Sequence, residues 1–166
     1  MKTKKLVLAA LFIALSFVGA NIKIMGSIAF DSMPGFLGAI ILGPFYGALI
    51  GALGHFLTAL TSGFPLSLPV HLITMVGMGV TMLVFGYVFK YFLSKNYFVA
   101  IILSLTSAVM INGPLLILIL SPLLIPVLGK AVLIGMVPVL SGVAALNIIM
   151  AQVIHKILPK RYKSWK

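Results

Sequence analysis

The chain has 166 residues, of which 62% are hydrophobic and 8% charged, and twelve Lys or Arg residues stand against one acidic residue. No soluble domain buries that much apolar surface behind so thin a polar shell, so the composition excludes an ordinary water-soluble fold. The absence of cysteine excludes disulfides and thiolate metal sites. The basic residues lie at the ends of apolar segments, which favours membrane topology over nucleic-acid binding.

Apolar segments follow one another along the chain and predict an all-α membrane protein, a single integral membrane domain over residues 1–166. We expect six transmembrane helices, because six spans of about 20 residues each use roughly 120 residues and leave only short loops. The predicted helices cover residues 6–20, 34–42, 45–60, 70–92, 98–120 and 130–158.

Three interruptions of this pattern, residues 21–30, 61–69 and 121–129, carry glycine, proline or polar residues and are predicted to be loops. An even number of spans places ten of the basic residues on the side of the two termini, and only Lys23 and Lys130 on the other. By the positive-inside rule, both termini are predicted to be cytoplasmic, in the cytoplasmic membrane of a bacterial cell, and the three loops face outward.

The sequence does not carry the patterns of a hydrolase or of a phosphate-binding loop, since Gly129-Lys130 lacks the upstream glycine and the following Ser or Thr. One carboxylate does not make an acid–base pair, and three dispersed histidines give a weak case for a metal. We therefore predict a binding protein rather than an enzyme, without metal or cofactor, whose energy comes from another component.

Asp31, the only acidic residue, comes just before the predicted second helix. Its carboxylate is expected to cap the first turn of that helix, to accept a hydrogen bond from a ligand hydroxyl or N–H, or to do both. Asn21 and Lys23 precede it on the same outward loop and either contact the same ligand or are simply solvated. His71 begins the fourth helix at a similar depth, and we favour a ligand role for it over a position at the membrane interface.

Small residues recur every four positions along the third helix, which favours close helix packing. His55 interrupts them and is expected either to bond a neighbouring helix or to reach a cavity. Asn147 in the last helix bonds another helix or, as the alternative, a ligand, because an amide in lipid needs a partner. Phe30 and Phe64 flank the outward loops and either stack on a flat ligand or anchor the loops in the bilayer.

The chain resembles the substrate-binding S component of energy-coupling factor transporters. The resemblance covers essentially the whole chain: short apolar helices, cytoplasmic termini, a basic tail, Gly-rich second and third helices, and Ala10-Leu11-Phe12-Ile13-Ala14, which matches the A-x-x-x-A pattern of the family. The stretch from Ala20 to His71 is similar to S components assigned to α-ribazole, a nucleoside precursor of cobalamin.

The resemblance implies that the protein binds a vitamin or precursor from outside and tips over in the membrane. It would do so together with a transmembrane coupling subunit and two cytoplasmic ATPases, and Ala10 and Ala14 would face the coupling subunit. Pyridoxine or pantothenate remain alternatives to α-ribazole as the substrate. A facilitator or channel that works alone and an intramembrane assembly factor without a small ligand are the alternatives to an S component.

Overall fold

The computed structural model describes residues 2–21, 23–24, 28–29, 31–159 and 163. The regular structure of these residues is helical apart from two antiparallel two-residue strands, which pair Lys23 with Ala29 and Ile24 with Ile28. The elements follow in the order α1 (Lys2–Ala20), β1 (Lys23–Ile24), β2 (Ile28–Ala29), α2 (Met33–Ile41), α3 (Pro44–Thr61), α4 (Leu68–Leu93), α5 (Tyr97–Met110), a π-helical segment (Ile111–Leu115), α6 (Leu116–Leu128) and α7 (Lys130–Ile157).

The prediction of six membrane-spanning helices is confirmed only in part. Within the described part of the chain, five helices are long and apolar enough to cross a bilayer: Thr3–Ala20, Pro44–Thr61, Leu68–Leu93, Tyr97–Leu128 and Lys130–Ile157. The expected second span is the nine-residue helix α2. A helix of that length reaches about 14 Å, less than half of a hydrocarbon core of about 30 Å. A sixth crossing would therefore need the extended segment before α2 as well.

The prediction of a loop at residues 121–129 is wrong, because α6 runs through most of it with Pro122 and Pro126 inside the helix. A helix break in lipid leaves many backbone groups without partners, whereas a proline removes a single hydrogen bond. The Ser121 hydroxyl donates to the Leu118 carbonyl at 2.8 Å. This is the carbonyl that the missing N–H of Pro122 would have bonded, so the loss is compensated locally.

The stretch Asn112-Gly113-Pro114 lies in a π-helical segment, Ile111–Leu115, that joins α5 and α6 without a break. A π-helical widening moves the preceding carbonyls away from a proline ring, so the helix continues past Pro114. Gly113 lies directly against Ser141 of α7, where a larger side chain would not fit. The span is therefore a single element that packs closely on α7 at its middle.

Glycines on α3 bring neighbouring helices into close contact, as the spacing of small residues predicts. Gly47 faces Ala39 of α2, and Gly51 faces Met82 of α4. A Cβ atom at either glycine would overlap these neighbours, so the absence of a side chain is what sets the distance between the helices. The large side chains beside them, among them Met82 and Phe36, are fully buried.

Residues from both chain termini meet at one end of the bundle, which we call the lysine end. Lys5 of α1, Leu42 at the end of α2, Lys90 of α4 and Lys163 line a hollow of about 180 Å³ there. The chain segments at the two termini thus lie on the same side of the bundle. That this side is cytoplasmic stays a prediction.

Candidate ligand-binding site

A cavity of about 320 Å³ lies at the opposite end of the bundle, which we call the cavity end, between α3, α4, α6 and α7. Val70 of α4 lines it, about 20 residues or about 30 Å along the helix from Lys90 at the lysine end. One wall is polar, with Asp31, His55, Thr58, Ser62, His71 and Thr74. The facing wall on α6 and α7 is apolar, with Leu116, Ile117, Leu120, Leu124, Leu133, Met136 and Leu140.

The same short pattern on two helices places the polar groups. α3 carries His55-Phe56-Leu57-Thr58 and α4 carries His71-Leu72-Ile73-Thr74. Residues three apart lie on one face of a helix, so each His-x-x-Thr turns its imidazole and its hydroxyl the same way. Thr58 and Thr74 are not among the residues predicted from the sequence, and this repeat is the sequence signal that identifies them.

The two histidines form a hydrogen-bonded chain that ends on the α3–α4 loop. His55 Nε2 and His71 Nδ1 are 3.3 Å apart, and His71 Nε2 lies 2.6 Å from the carbonyl oxygen of Pro65. The two ring planes are inclined by 28° and their centroids are 5.4 Å apart. A carbonyl only accepts, so His71 Nε2 is the donor to Pro65. The alternative in which His55 bonds a neighbouring helix is therefore realised, and the residue lines the cavity as well.

The loop that carries Pro65 is strained. Phe64 and Leu66 have positive φ angles of 50° and 75°, a backbone region that non-glycine residues rarely occupy. Phe64 packs on the ring of His71 with centroids 5.9 Å apart, and Pro65 and Leu66 line the cavity. His71 thus holds the strained loop over the cavity through both its ring face and its Nε2 atom.

Asp31 lines the cavity but does not occupy the N-cap position of α2. The N-cap residue is Ser32, whose side chain makes no capping hydrogen bond. Burial of the Asp31 carboxyl raises its pKa from 3.8 to about 6, and the backbone N–H groups of Asp31 and Ser32 offset part of this shift. Among the described residues, no Lys or Arg lines the cavity beside this carboxylate, which makes it a candidate ligand contact.

Asn147, the second polar candidate from the sequence, is fully buried and does not belong to the cavity wall. Its Oδ1 atom accepts a hydrogen bond from the backbone N–H of Met33 at 2.9 Å. Its Nδ2 atom donates to the Val143 carbonyl at 3.0 Å. The side chain therefore caps the first turn of α2 from α7, which is the inter-helix role expected as the alternative to ligand binding.

Asn21 and Phe64 are described and do not line the cavity, whereas the other two candidates are not fully described. The Asn21 side chain donates to the Phe17 carbonyl at 2.8 Å, so it closes the end of α1. Lys23 lies in β1, where its backbone alone is described, and Phe30 lies outside the described residues. Of the six predicted substrate-binding residues whose side chains the structure describes, three line the cavity, namely Asp31, His55 and His71.

Ala10 and Ala14 lie on the exposed side of α1, facing away from the bundle. Leu11 and Leu15 beside them are 55% and 52% exposed. The buried side of α1 instead carries Ser16, which packs on Gly54 of α3. The small residues of the A-x-x-x-A pattern are thus available to another helix, in contrast to the glycines of α3.

A bundle of apolar helices with a cavity between one polar and one apolar wall defines a membrane protein that binds a small solute. Within the described residues, no three His, Cys, Asp or Glu side chains converge in a way that would hold a metal ion. The family model of the ECF transporter, substrate-specific component, matches residues 4–159, and the chain belongs to this family. The resemblance stated from the sequence is confirmed at this level.

The family comprises membrane-embedded components of transporters rather than enzymes. It implies a small-molecule substrate and an ECF coupling subunit with ATPases. Neither the curated proteins nor the solved structures include a match to the chain.

Proposed function

We propose that the protein captures a small vitamin or vitamin precursor from outside the cell, with α-ribazole as the best candidate, for ATP-driven uptake. The observation that carries the proposal is the cavity of about 320 Å³ with its two unlike walls. Pockets for small ligands span roughly 300–1,000 Å³. The cavity lies at the low end of this range, which favours a precursor over a molecule as large as an intact cobalamin.

The two walls match the two parts of α-ribazole. Its flat benzimidazole is apolar and would lie against the leucines of α6 and α7, whereas its ribose hydroxyls would meet Asp31 and the two His-x-x-Thr segments. Pyridoxine, which is also flat and hydroxylated, fits the same arrangement. Pantothenate fits less well, because its carboxylate would share the cavity with that of Asp31.

The direction of capture follows from charge. The lysine end is expected to face the cytoplasm by the positive-inside rule, which turns the cavity end outward, where an imported solute arrives. The strained loop over the cavity and the histidine that holds it would then face the outer medium.

Calorimetry of α-ribazole binding to the purified protein in detergent tests the proposal with two matched variants. Ala59 is 2% exposed and lines the cavity, so Ala59→Phe should fill it and abolish binding of α-ribazole. Leu60 is the next residue, is 51% exposed and faces away, so Leu60→Phe should bind like the wild type. Equal binding by both variants would place the ligand elsewhere, and absence of binding by the wild type would count against the substrate.

The exposed alanines of α1 provide the test of the partner. Ala10→Leu and Ala14→Leu should abolish transport in cells that contain the coupling subunit and ATPases, because a bulky side chain holds closely packed helices apart. Ligand affinity should stay within about twofold of the wild type, since neither alanine lines the cavity. Ala131→Leu, at another exposed alanine, on α7, is the matched control. Uptake without the coupling subunit and ATPases would instead indicate a facilitator.

A further inference from the structure

The hydroxyl protons of the cavity threonines are already used inside their own helices. Thr58 Oγ1 donates to the Gly54 carbonyl at 2.9 Å, and Thr74 Oγ1 donates to the Val70 carbonyl at 2.8 Å. A hydroxyl has one proton and two lone pairs. Both threonines therefore present lone pairs to the cavity and act toward a ligand as hydrogen-bond acceptors.

The histidine chain has the same consequence. His71 donates from Nε2 to Pro65, so in the neutral ring Nδ1 carries no proton and accepts. His55 Nε2, 3.3 Å away, must then be the donor of their shared hydrogen bond. The proton of a neutral His55 is thereby fixed on Nε2, and its Nδ1 atom is left as an acceptor. Through two rings, the carbonyl of Pro65 sets the hydrogen-bonding character of His55.

The other polar side chains of the cavity follow the same rule, with one exception. The carboxylate of Asp31 is an acceptor, and no Lys or Arg belongs to the cavity wall in the described part of the chain. Ser62 is the exception, because its hydroxyl can donate, and it is an exposed residue just after the end of α3. The interior of the polar wall, with Asp31, His55, Thr58 and Thr74, thus offers acceptors to a ligand.

We infer that this cavity selects a ligand that carries hydroxyl or N–H donors and no negative charge. The inference rests on the proposed function and narrows its substrate class. A ligand carboxylate or phosphate would face lone pairs and the Asp31 carboxylate in a mostly apolar enclosure, with no Lys or Arg among the described residues of the wall to pair with. Unpaired buried anions are strongly disfavoured, whereas each ligand hydroxyl that reaches this wall gains a hydrogen bond that is charge-assisted at Asp31.

Matched pairs of probes test the selection on the purified full chain at pH 8, where imidazoles are ordinarily neutral. The pairs are pantothenol and pantothenate, pyridoxine and 4-pyridoxic acid, and α-ribazole and its 5′-phosphate, and each pair differs mainly in one alcohol or acid group. Calorimetry should show that any pair that binds does so at least tenfold more tightly as the alcohol. Equal or tighter binding of the acid member overturns the inference and leaves vitamin capture standing.

A result in which none of the six probes binds counts against the proposed function and against the inference with it.

Two variants test whether the cavity residues are responsible for the selection. Thr58→Val keeps the shape of the side chain and removes an acceptor, so it should weaken the alcohol severalfold without improving the acid. Asp31→Asn replaces the anion by an amide that can donate, so it should reduce the preference for the alcohol by tenfold or more. An unchanged preference in Asp31→Asn, at a melting temperature like that of the wild type, overturns the inference.

Discussion

Apart from the hollow of about 180 Å³ at its very end, the lysine half of the bundle is closely packed, whereas the cavity half encloses a space of about 320 Å³. In the lysine half, α2, α3 and α4 meet through Gly47, Gly51 and Met82, and Phe36 lies edge-on to Phe85 with ring centroids 5.0 Å apart. In the cavity half, leucines of α6 and α7 stand across about 320 Å³ from the two His-x-x-Thr segments. Small residues thus bring helices together at one end, and branched ones line the space at the other.

This difference separates two tasks along the same helices. α3 contributes glycines to the packed half and His55 and Thr58 to the cavity half, and α4 contributes Met82 and His71 in the same way. In lipid, helices associate through van der Waals packing and hydrogen bonds rather than through the hydrophobic effect. The lysine half can therefore hold the helices in place while the cavity half keeps room for a ligand.

The largest effect on folding is expected from Gly47→Leu in the lysine half. Even a Cβ atom at this position would overlap Ala39, so α2 would have to move away from α3. Overpacking by single methylenes already costs about 1–3 kcal/mol, and a leucine adds several atoms. We expect no monodisperse protein after extraction, measured by size-exclusion chromatography. Gly142→Leu on α7, where nothing lies nearby, is the control. Similar yields of the two variants would contradict the conclusion that the lysine half is closely packed at Gly47.

A smaller effect should distinguish the two halves directly. Met82 is fully buried under Gly35 and Gly51, and Met82→Ala should cost about 2–5 kcal/mol, as in other packed cores. Leu120 is also buried but borders the cavity, so its side chain has packing partners on fewer sides. Leu120→Ala should cost less than half as much in thermal unfolding without ligand. Equal costs would mean that the cavity half is packed as closely as the other.

Most of the helix pattern could be predicted from the sequence because hydropathy determines it. The last helix was expected at residues 130–158, and α7 covers Lys130–Ile157. The errors in the predicted helices concern the prolines of α6 and the length of α2. Pro122 and Pro126 were interpreted as loop residues, yet lipid favours a continued helix and the Ser121 hydroxyl replaces one lost hydrogen bond. The second helix is shorter than a span, and hydropathy alone did not distinguish it from one.

Less of the candidate site could be predicted, since it depends on which helices are neighbours. Asp31, His55 and His71 could be singled out as polar groups among apolar ones, and they line one cavity. Asn147 has the same sequence signal but caps α2 from α7, a contact between residues more than a hundred positions apart. Thr58 was overlooked because a threonine in a helix is unremarkable until its neighbours are known.

In the cavity half, Asp31→Asn should weaken the binding of a hydroxylated ligand. A hydrogen bond to a charged group contributes about 1.5–3 kcal/mol, or roughly ten- to hundredfold in affinity. The unliganded protein should be unchanged or slightly more stable at pH 8, because the variant no longer holds an anion whose ionisation burial opposes. Calorimetry and thermal unfolding of the same sample measure both. Unchanged affinity with lowered stability would leave Asp31 as a structural residue.

The smallest expected effect is the change of protein stability and of ligand affinity with pH. Since the pKa of Asp31 in the folded protein is about 6 rather than 3.8, the folded state binds this proton more tightly than the unfolded state. The stability that the protonated carboxyl contributes is therefore fully present below pH 3.8 and is lost as the pH rises through about 6. A donor ligand prefers the ionised carboxylate, so its affinity should change the other way, falling as the pH drops below about 6.

Asp31→Asn separates this contribution from those of the other titratable groups at the cavity, His55 on α3 and His71 on α4. The difference between wild type and Asp31→Asn, measured by titration calorimetry from pH 5 to pH 8, should therefore shrink steadily below about pH 6. It should stay constant above about pH 7, where the carboxyl is mostly ionised. A difference that is the same at every pH would mean that the ligand does not meet the Asp31 carboxylate.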